Sequence, residues 1–322
     1  GYIGYEHNGD LMQFATSGTE RFRIASDGSL STPTLGTDNV RFGENAGNSI
    51  ASGGIRNVVI GKDAGTALTT GDSNVAIGYE SLKNEDTHAN NTAIGTAALF
   101  TLNAGADGYN VAVGYQAGAG VTLGIQNVLI GSLAGDALTD SDANTAVGHA
   151  ALTADTLGAK SVAVGREALV TQNFTAAQDT LNVAVGYAAG QSLVTGIENT
   201  FLGAGAGDSF TGTAYSGDTR QSGADYNVAV GKAALSSDTK GNQSVAVGTN
   251  ALQTQNQTST YNVLNTAVGY YAGQQVTTGI QNTLIGGQSG AFLTTGNNST
   301  FVGFKAGQGI TGAKLTGNYN TA

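Results

Sequence analysis

Two carboxylates, Asp218 and Asp225, lie close together in sequence, and a pair of that kind facing one cleft could hydrolyse a polysaccharide. Nothing in the spacing places them on one face, however. The three histidines, His7, His88 and His149, sit far apart and have no fixed carboxylate neighbour in the pattern, so they read as surface variants rather than bases or ligands. Gly-rich stretches such as Gly114-Tyr115-Gln116-Ala117-Gly118 could cradle phosphate, but no lysine-serine pair follows and the stretch recurs too often to be one nucleotide site. Asp63, Asp136 and Asp208 lack the aspartate in every turn that a calcium roll needs. Thr69-Thr70, Thr277-Thr278 and Thr294-Thr295 are too intermittent for an ice-binding ladder. The expectation is no enzyme, no cofactor and no metal.

The elements that would position any site are set by composition. Of 322 residues 50 are Gly, one is Pro, none is Cys or Trp, and 11% are charged. That much glycine in the chain opposes long helices, while a single proline and the lack of a three-residue period oppose collagen. Without cysteine, neither disulfides nor thiolate sites can hold the chain together. A net charge of −10 with no basic cluster argues against nucleic acid, and no apolar run of membrane-spanning length or basic-then-apolar leader is visible.

The glycine has a fixed place. It closes segments such as Asn110-Val111-Ala112-Val113-Gly114 and recurs at 43, 61, 78, 95, 114, 131, 148, 165, 186, 203, 231, 248, 269, 286 and 303. Nine of the fourteen spacings are 17 residues and the rest are longer, which predicts fifteen coils of a parallel β-solenoid decorated by insertions. Three before the glycine stands Val or Thr and one before it an apolar, mostly β-branched residue, including Val113, Val147 and Val164. These alternate positions share a strand face, which this reading assigns to the interior of the coil. The mostly Ala register two before the glycine then faces out, as a surface for close packing. A second glycine ten residues on, in nine copies, predicts a second corner of positive φ, giving strand, corner, second strand, corner. The opening Asn is expected to bond neighbouring backbone or to stack as a ladder between coils. The residue four after the glycine runs Gly, Gly, Leu, Leu and repeats, so the larger unit is four coils. Tyr79, Tyr115, Tyr187 and Tyr270 follow the anchor glycine in a register that also admits Lys62, Thr96, Arg166 and Lys232, which suits a solvated corner.

Asn74-Val75-Ala76-Ile77-Gly78, Ser161-Val162-Ala163-Val164-Gly165 and Ser244-Val245-Ala246-Val247-Gly248 resemble the SVAIG repeat of the YadA-like heads of trimeric autotransporter adhesins. The resemblance covers about residues 39 to 322 and rests on the recurring glycines, Gly78, Gly114, Gly148, Gly186, Gly231 and Gly269 among them. It implies a left-handed parallel β-roll working as a parallel homotrimer. The unit here is longer than the family's and the four-coil block is a departure from it. Residues 1 to 38 resemble a different module, one common in phage tail fibres. Tyr5-Glu6-His7-Asn8-Gly9-Asp10, Ser17-Gly18-Thr19-Glu20-Arg21-Phe22-Arg23-Ile24 and Ser26-Asp27-Gly28-Ser29 carry that likeness, with Asn8-Gly9 as a hairpin dipeptide.

Together the two resemblances imply a structural and adhesive segment of a virion tail fibre, outside the cell, that spaces or presents receptor-binding surfaces. The alternative is a head module on a bacterial cell surface. Its partners would be itself, other fibre or tail proteins and a host receptor, a glycan among the candidates, with no membrane insertion. Within a repeat, freedom to bind concentrates where residues are added. The largest addition carries Phe210, Tyr215, Asp218, Arg220 and Tyr226, the candidate receptor contacts. The last residues, Asn320-Thr321-Ala322, reproduce the opening of the unit, so the sequence reads as a piece of a longer one.

Overall fold

The computed structural model describes residues 1–6, 11–24, 30–31, 36, 38–212, 223–257, 259, 261–309 and 315–322. Two kinds of sheet are present. Strands β1 (Tyr2–Glu6), β2 (Leu11–Thr16), β3 (Thr19–Ile24) and β4 (Leu30–Ser31) form an antiparallel meander in chain order. Phe14 and Phe22 pair across it with ring centroids 5.5 Å apart, while Tyr2, Ile3 and Tyr5 stay exposed. The Asn8-Gly9 dipeptide lies outside the described residues.

From Val40 onward the chain winds into a solenoid. Three-residue strands from Val40–Phe42 to Thr300–Val302 stack in parallel as one 15-stranded sheet, each register aligned with the next, as Val111, Leu129's neighbour Val128 and Thr145 show. The longer spacings add short parallel pairs at the side, Gly158–Ala159 with Gln178–Asp179 and Gly241–Asn242 with Tyr261–Asn262.

Apart from those two short pairs and a bridge between Leu293 and Leu315, the expected second strand does not form among the described residues. The positions two and four after the anchor glycine have positive φ even where they are not glycine, as at Gln116 (53°), Leu133 (59°), Leu152 (54°) and Leu169 (49°). Left-handed backbone at alternate positions cannot extend into a strand. The turns nonetheless stack: the Gly118 N–H donates to the Ala134 carbonyl of the next coil at 2.9 Å.

The inside and the outside of the strand are the reverse of the expectation. Ala76, Ala112, Ala146, Ala163, Ala229 and Ala246 are fully buried, as are Leu129 and Phe201 in the same register two before the glycine. Val113, Val147 and Val164, one before it, are only half-buried on the outer face, and Ile130 and Leu202 are exposed. The interior is narrow because a second buried register, three after the glycine, brings Ala98, Ala117, Ala134 and Ala151 toward the same core. Small side chains fit there; β-branched ones in every coil would overfill it. At the first coil the register holds Arg41, whose Nε donates to the Ala46 carbonyl at 2.6 Å and whose pKa burial lowers.

The four-coil block is a rule of volume. Seven after the glycine, coils with Gly at position four carry large apolar residues, such as Leu68, Val121, Leu138, Leu193 and Phe210, all fully buried. A Cβ added to Gly65 would stand 2.8 Å from Leu68 and one added to Gly135 2.8 Å from Leu138. Where position four is Leu, position seven is mostly polar: Glu85, Asp155, Gln172, Asp238 and Gln255. Leu99 and Leu102, both buried, are the exception in the first block.

The two glycine rows answer to different constraints. Anchor glycines have φ between about +126° and +142°, and a Cβ on Gly131 would meet the Gly148 carbonyl oxygen at 2.4 Å. The second row, Gly71, Gly124, Gly196, Gly279 and Gly296, does not have positive φ, contrary to expectation. There glycine is needed for approach alone: a Cβ on Gly124 would lie 2.4 Å from the Ser141 carbonyl oxygen. Gly131→Ala is therefore expected to cost more than about 3 kcal/mol, through strain and clash together. Gly105→Ala, with nothing within 4 Å of the new carbon, should change stability by less than about 1 kcal/mol. Denaturant midpoints of the two variants check this, and equal midpoints would refute it.

Candidate functional site

The chemistry-bearing side chains fall into an internal ladder, two acidic clusters and the large insertion. The ladder begins with Asn39 and continues through Asn57, Asn74, Asn91, Asn110, Asn127 and Asn144, nearly all fully buried. The amides do the same work, except that Asn91 Nδ2 donates back to the Ala89 carbonyl at 3.2 Å. Asn57 Oδ1 accepts the Asn74 N–H at 2.9 Å, and its Nδ2 donates to the Gly71 carbonyl at 2.8 Å. Asn110 repeats the pattern with the Asn127 N–H at 2.9 Å and the Gly124 carbonyl at 3.0 Å. The strand-opening Asn is thus the ladder between coils that the sequence suggested.

Ser161, Ser244 and Ser299 interrupt the ladder, and at the first two, interior carboxylates complete it. Asp155 Oδ1 accepts the Gly158 and Phe174 N–H groups, both at 3.0 Å, and Oδ2 accepts Gln172 Nε2 at 2.6 Å. Gln172 also donates to Ser161 Oγ at 3.0 Å, and its Oε1 accepts Asn182 Nδ2 at 2.9 Å. Asp238, Gln255, Ser244 and Asn265 reproduce this set one block later, with Gly241 and Gln257 N–H groups at 3.0 Å from Asp238 Oδ1. These acids are fully buried and their oxygens are occupied, so they hold the coil together and face no solvent cleft. Sequence reading passed over them, although Asp and Gln recur seven after the glycine in successive coils with Ser in place of Asn.

Glu85 occupies the same register in the first block. Its Oε1 accepts the Asp86 and His88 N–H groups and lies 3.1 Å from His88 Nδ1, while Oε2 accepts the Ala104 N–H at 3.2 Å. His88 therefore has a carboxylate partner that its position in the repeat did not suggest. Glu85, Asp86 and His88 offer ligand atoms within 4.8 Å of one another, but the Glu85 oxygens are already used by backbone. His149 stands exposed, and His7 lies outside the described residues.

A second acidic group lines a hollow of about 440 Å³ beside the Gly158–Ala159 pair, where Asp140, Asp142 and Asp179 converge. Asp179 pairs with Lys160 at 2.5 Å, and Asp142 Oδ1 accepts the Ile125 N–H at 2.8 Å.

The insertion does not bring its candidates to one surface. Phe210 is fully buried and stacks on Phe201 with centroids 5.5 Å apart and planes 11° from parallel. Its ring fills the core beside a Gly at position four and is not a surface contact. Tyr226 is half-buried at the end of the insertion, with φ of 58°. Tyr215, Asp218 and Arg220 lie outside the described residues. Asp225, the other half of the hydrolytic pair, is buried and accepts the Ile197 N–H at 3.0 Å, which removes it from any exposed acid pair. Asp208 is half-buried, and burial raises its carboxyl pKa. Tyr79, Tyr115, Tyr187 and Tyr270 are about half-exposed along their corner, as expected of a solvated register.

The polar layers give a coupling test. Asp155→Leu leaves two backbone N–H groups without an acceptor, takes one of the two acceptors of the Gln172 amide and crowds Leu152, and should cost about 3 kcal/mol or more. Joining it with Gln172→Leu, Leu152→Gly and Leu169→Gly rebuilds the other coil type and should recover at least half of that. Thermal melts of the single and the quadruple variant read the coupling; additive losses would defeat the volume rule.

Compared with known proteins, the chain finds no counterpart: no family model, no curated protein and no solved structure matches it.

Proposed function

We propose that the chain is a structural and adhesive segment of a virion tail fibre, assembled as a parallel homotrimer that spaces or presents surfaces for host attachment. The observation that carries the reading is the outer face of the 15-stranded sheet. Parallel sheets are normally covered on both faces. Here one face packs on the Ala core, while the other carries Val or Thr and a mostly β-branched neighbour from every coil, half-exposed or exposed from Val40 to Val302.

The size of that face matches an interface. Fifteen strands at about 4.8 Å make a stripe of about 70 Å, and at two side chains wide it offers on the order of 700 Å². Stable protein interfaces bury about 800 Å² per partner, and patches of this size on a monomer mark interaction sites. A second copy is the occupant that fits, because the face is an uncharged array of flat rungs with one repeat along its whole length. Symmetry about the rod axis keeps all chains parallel and all N-terminal meanders at one pole, as a fibre requires. The number three comes from the adhesin heads that the repeat resembles. The exposed meander before the solenoid supports the fibre over the bacterial adhesin.

Sedimentation should give three times the chain mass. Val113→Asp, Val147→Asp and Val164→Asp combined should give a folded chain that no longer associates, since none of the three lines the core. A wild-type chain that sediments as a stable monomer would overturn the reading, and so would a triple variant that unfolds outright.

A further inference from the structure

We infer that the last three described coils carry a binding site for an uncharged saccharide. It lies past the anchor-glycine corner from the apolar face, in a groove of about 260 Å³ lined by Tyr271, Gln274, Gln288, Ala291, Phe292 and Gln308. The inference names a ligand class for the attachment half of the fibre reading and rests on it.

The groove stands out against the repeat itself. Two after the anchor glycine the register varies, with Ala150, Ala188, Gly205 and Ala233 but also Gln116, Leu133 and Glu167, and it holds an aromatic ring at Tyr271 alone. Six after it, Ala137, Ala154, Ser192 and Ser237 give way to Phe292. Stacking needs neither ring, because the same backbone is built without one at these two positions in every other coil of the repeat. In a solenoid, side chains beyond what stacking needs are free for recognition.

Their chemistry is specific. No charged residue lines the groove, which disfavours phosphate, sulfate or carboxylate ligands. Gln274 Nε2 donates to Gln253 Oε1 at 3.0 Å, and Gln308 Nε2 donates to Gln288 Oε1 at 3.2 Å. Each pair fixes its amides, and of the four Gln274, Gln288 and Gln308 line the groove, which leaves the Gln274 and Gln308 amide oxygens and the Gln288 NH₂ group outside the pair bonds. Hydroxyl groups, which donate and accept at once, match such an alternation of planar amides. The rings of Tyr271 and Phe292 supply the apolar wall on which the C–H face of a sugar packs. Tyr270 extends this wall, its ring edge-on to Tyr271 with centroids 4.0 Å apart. Amides held in place before binding lose little further side-chain freedom, and copies in an oligomer add avidity.

The test titrates the assembled chain with tetra- to hexasaccharides of glucose, mannose, galactose and N-acetylglucosamine, and with oligogalacturonate and oligosialate as anionic comparators. Calorimetry and tyrosine emission both report, the latter without interference because the chain has no Trp. Saturable binding of at least one neutral oligosaccharide, near one per chain, is expected. Tyr271→Ala and Gln288→Ala should each weaken it tenfold or more, while Tyr115→Ala, in the coil of Gly114, leaves it unchanged. Gln288→Glu, which keeps the volume and adds a charge, guards against misfolding and should weaken neutral sugars as well. Failure of every neutral sugar to bind, preference for the anionic comparators, or binding that survives Tyr271→Ala would overturn the site. Sedimentation of the same samples separates that failure from a failure of the fibre reading, because a trimer without sugar binding removes only the groove.

Discussion

Everything in the solenoid depends on how closely one coil lies on the next at the anchor glycine. A Cβ on Gly114 would meet the Gly131 carbonyl oxygen at 2.5 Å, and the same collision recurs down the row. The backbone must also take a left-handed turn at that point, with φ of +142° at Gly114. One residue type satisfies both demands. With the corner fixed in every coil, the strands stack in register, and the Asn amides reach from coil to coil, at 2.8 to 2.9 Å to the following backbone N–H at Asn39, Asn57 and Asn110.

Once the corners are fixed, the interior has a set volume, and the four-coil block is how the sequence fills it. Gly at position four makes room for Leu, Val or Phe at position seven, or for Leu129 and Phe201 from the strand. Leu at position four fills that room from the other side and accepts a positive φ to do so, as at Leu152 and Leu169. Left-handed backbone is costly for a bulky residue, about 1–3 kcal/mol, and persists where packing over-determines it. The polar register that results is closed by Asp–Gln pairs, which bond the backbone of their own coil and the next one. Polar residues in this interior are therefore part of the stacking machinery, which is why the buried acids do no chemistry at a surface.

The outer surface follows from the same division of labour. Stacking consumes the Ala face and leaves the β-branched face of the sheet half-buried or exposed, and the proposed assembly rests on that face. It also leaves the turns past the corner free in composition. Only near the last coils do those turns place rings two and six residues after the anchor glycine, at Tyr271 and Phe292, so the proposed association and the proposed recognition draw on different sides of one coil.

Which parts were legible in sequence follows from what each signal measures. The anchor glycines, their spacing, the Asn ladder and the parallel solenoid could be read directly, because each demands a residue type at a fixed interval whatever its surroundings. Val113, Val147 and Val164 were placed on the wrong side, because period-two alternation says which residues share a face but not which face is inside. The deciding fact is tertiary: the turn returns Ala117, Ala134 and Ala151 to within packing distance of the strand, and the core so formed has room for Ala and not for a β-branched pair in every coil. The second glycine row was assigned to positive φ when it answers to a neighbouring carbonyl, a distance between coils that no local pattern contains. Phe210 looked like an exposed ring on an insertion and is a core residue for the same reason. Sequence determined the period and the parts that the stacking backbone requires; only the closed coil decided which side of each strand met the protein and which met the solvent.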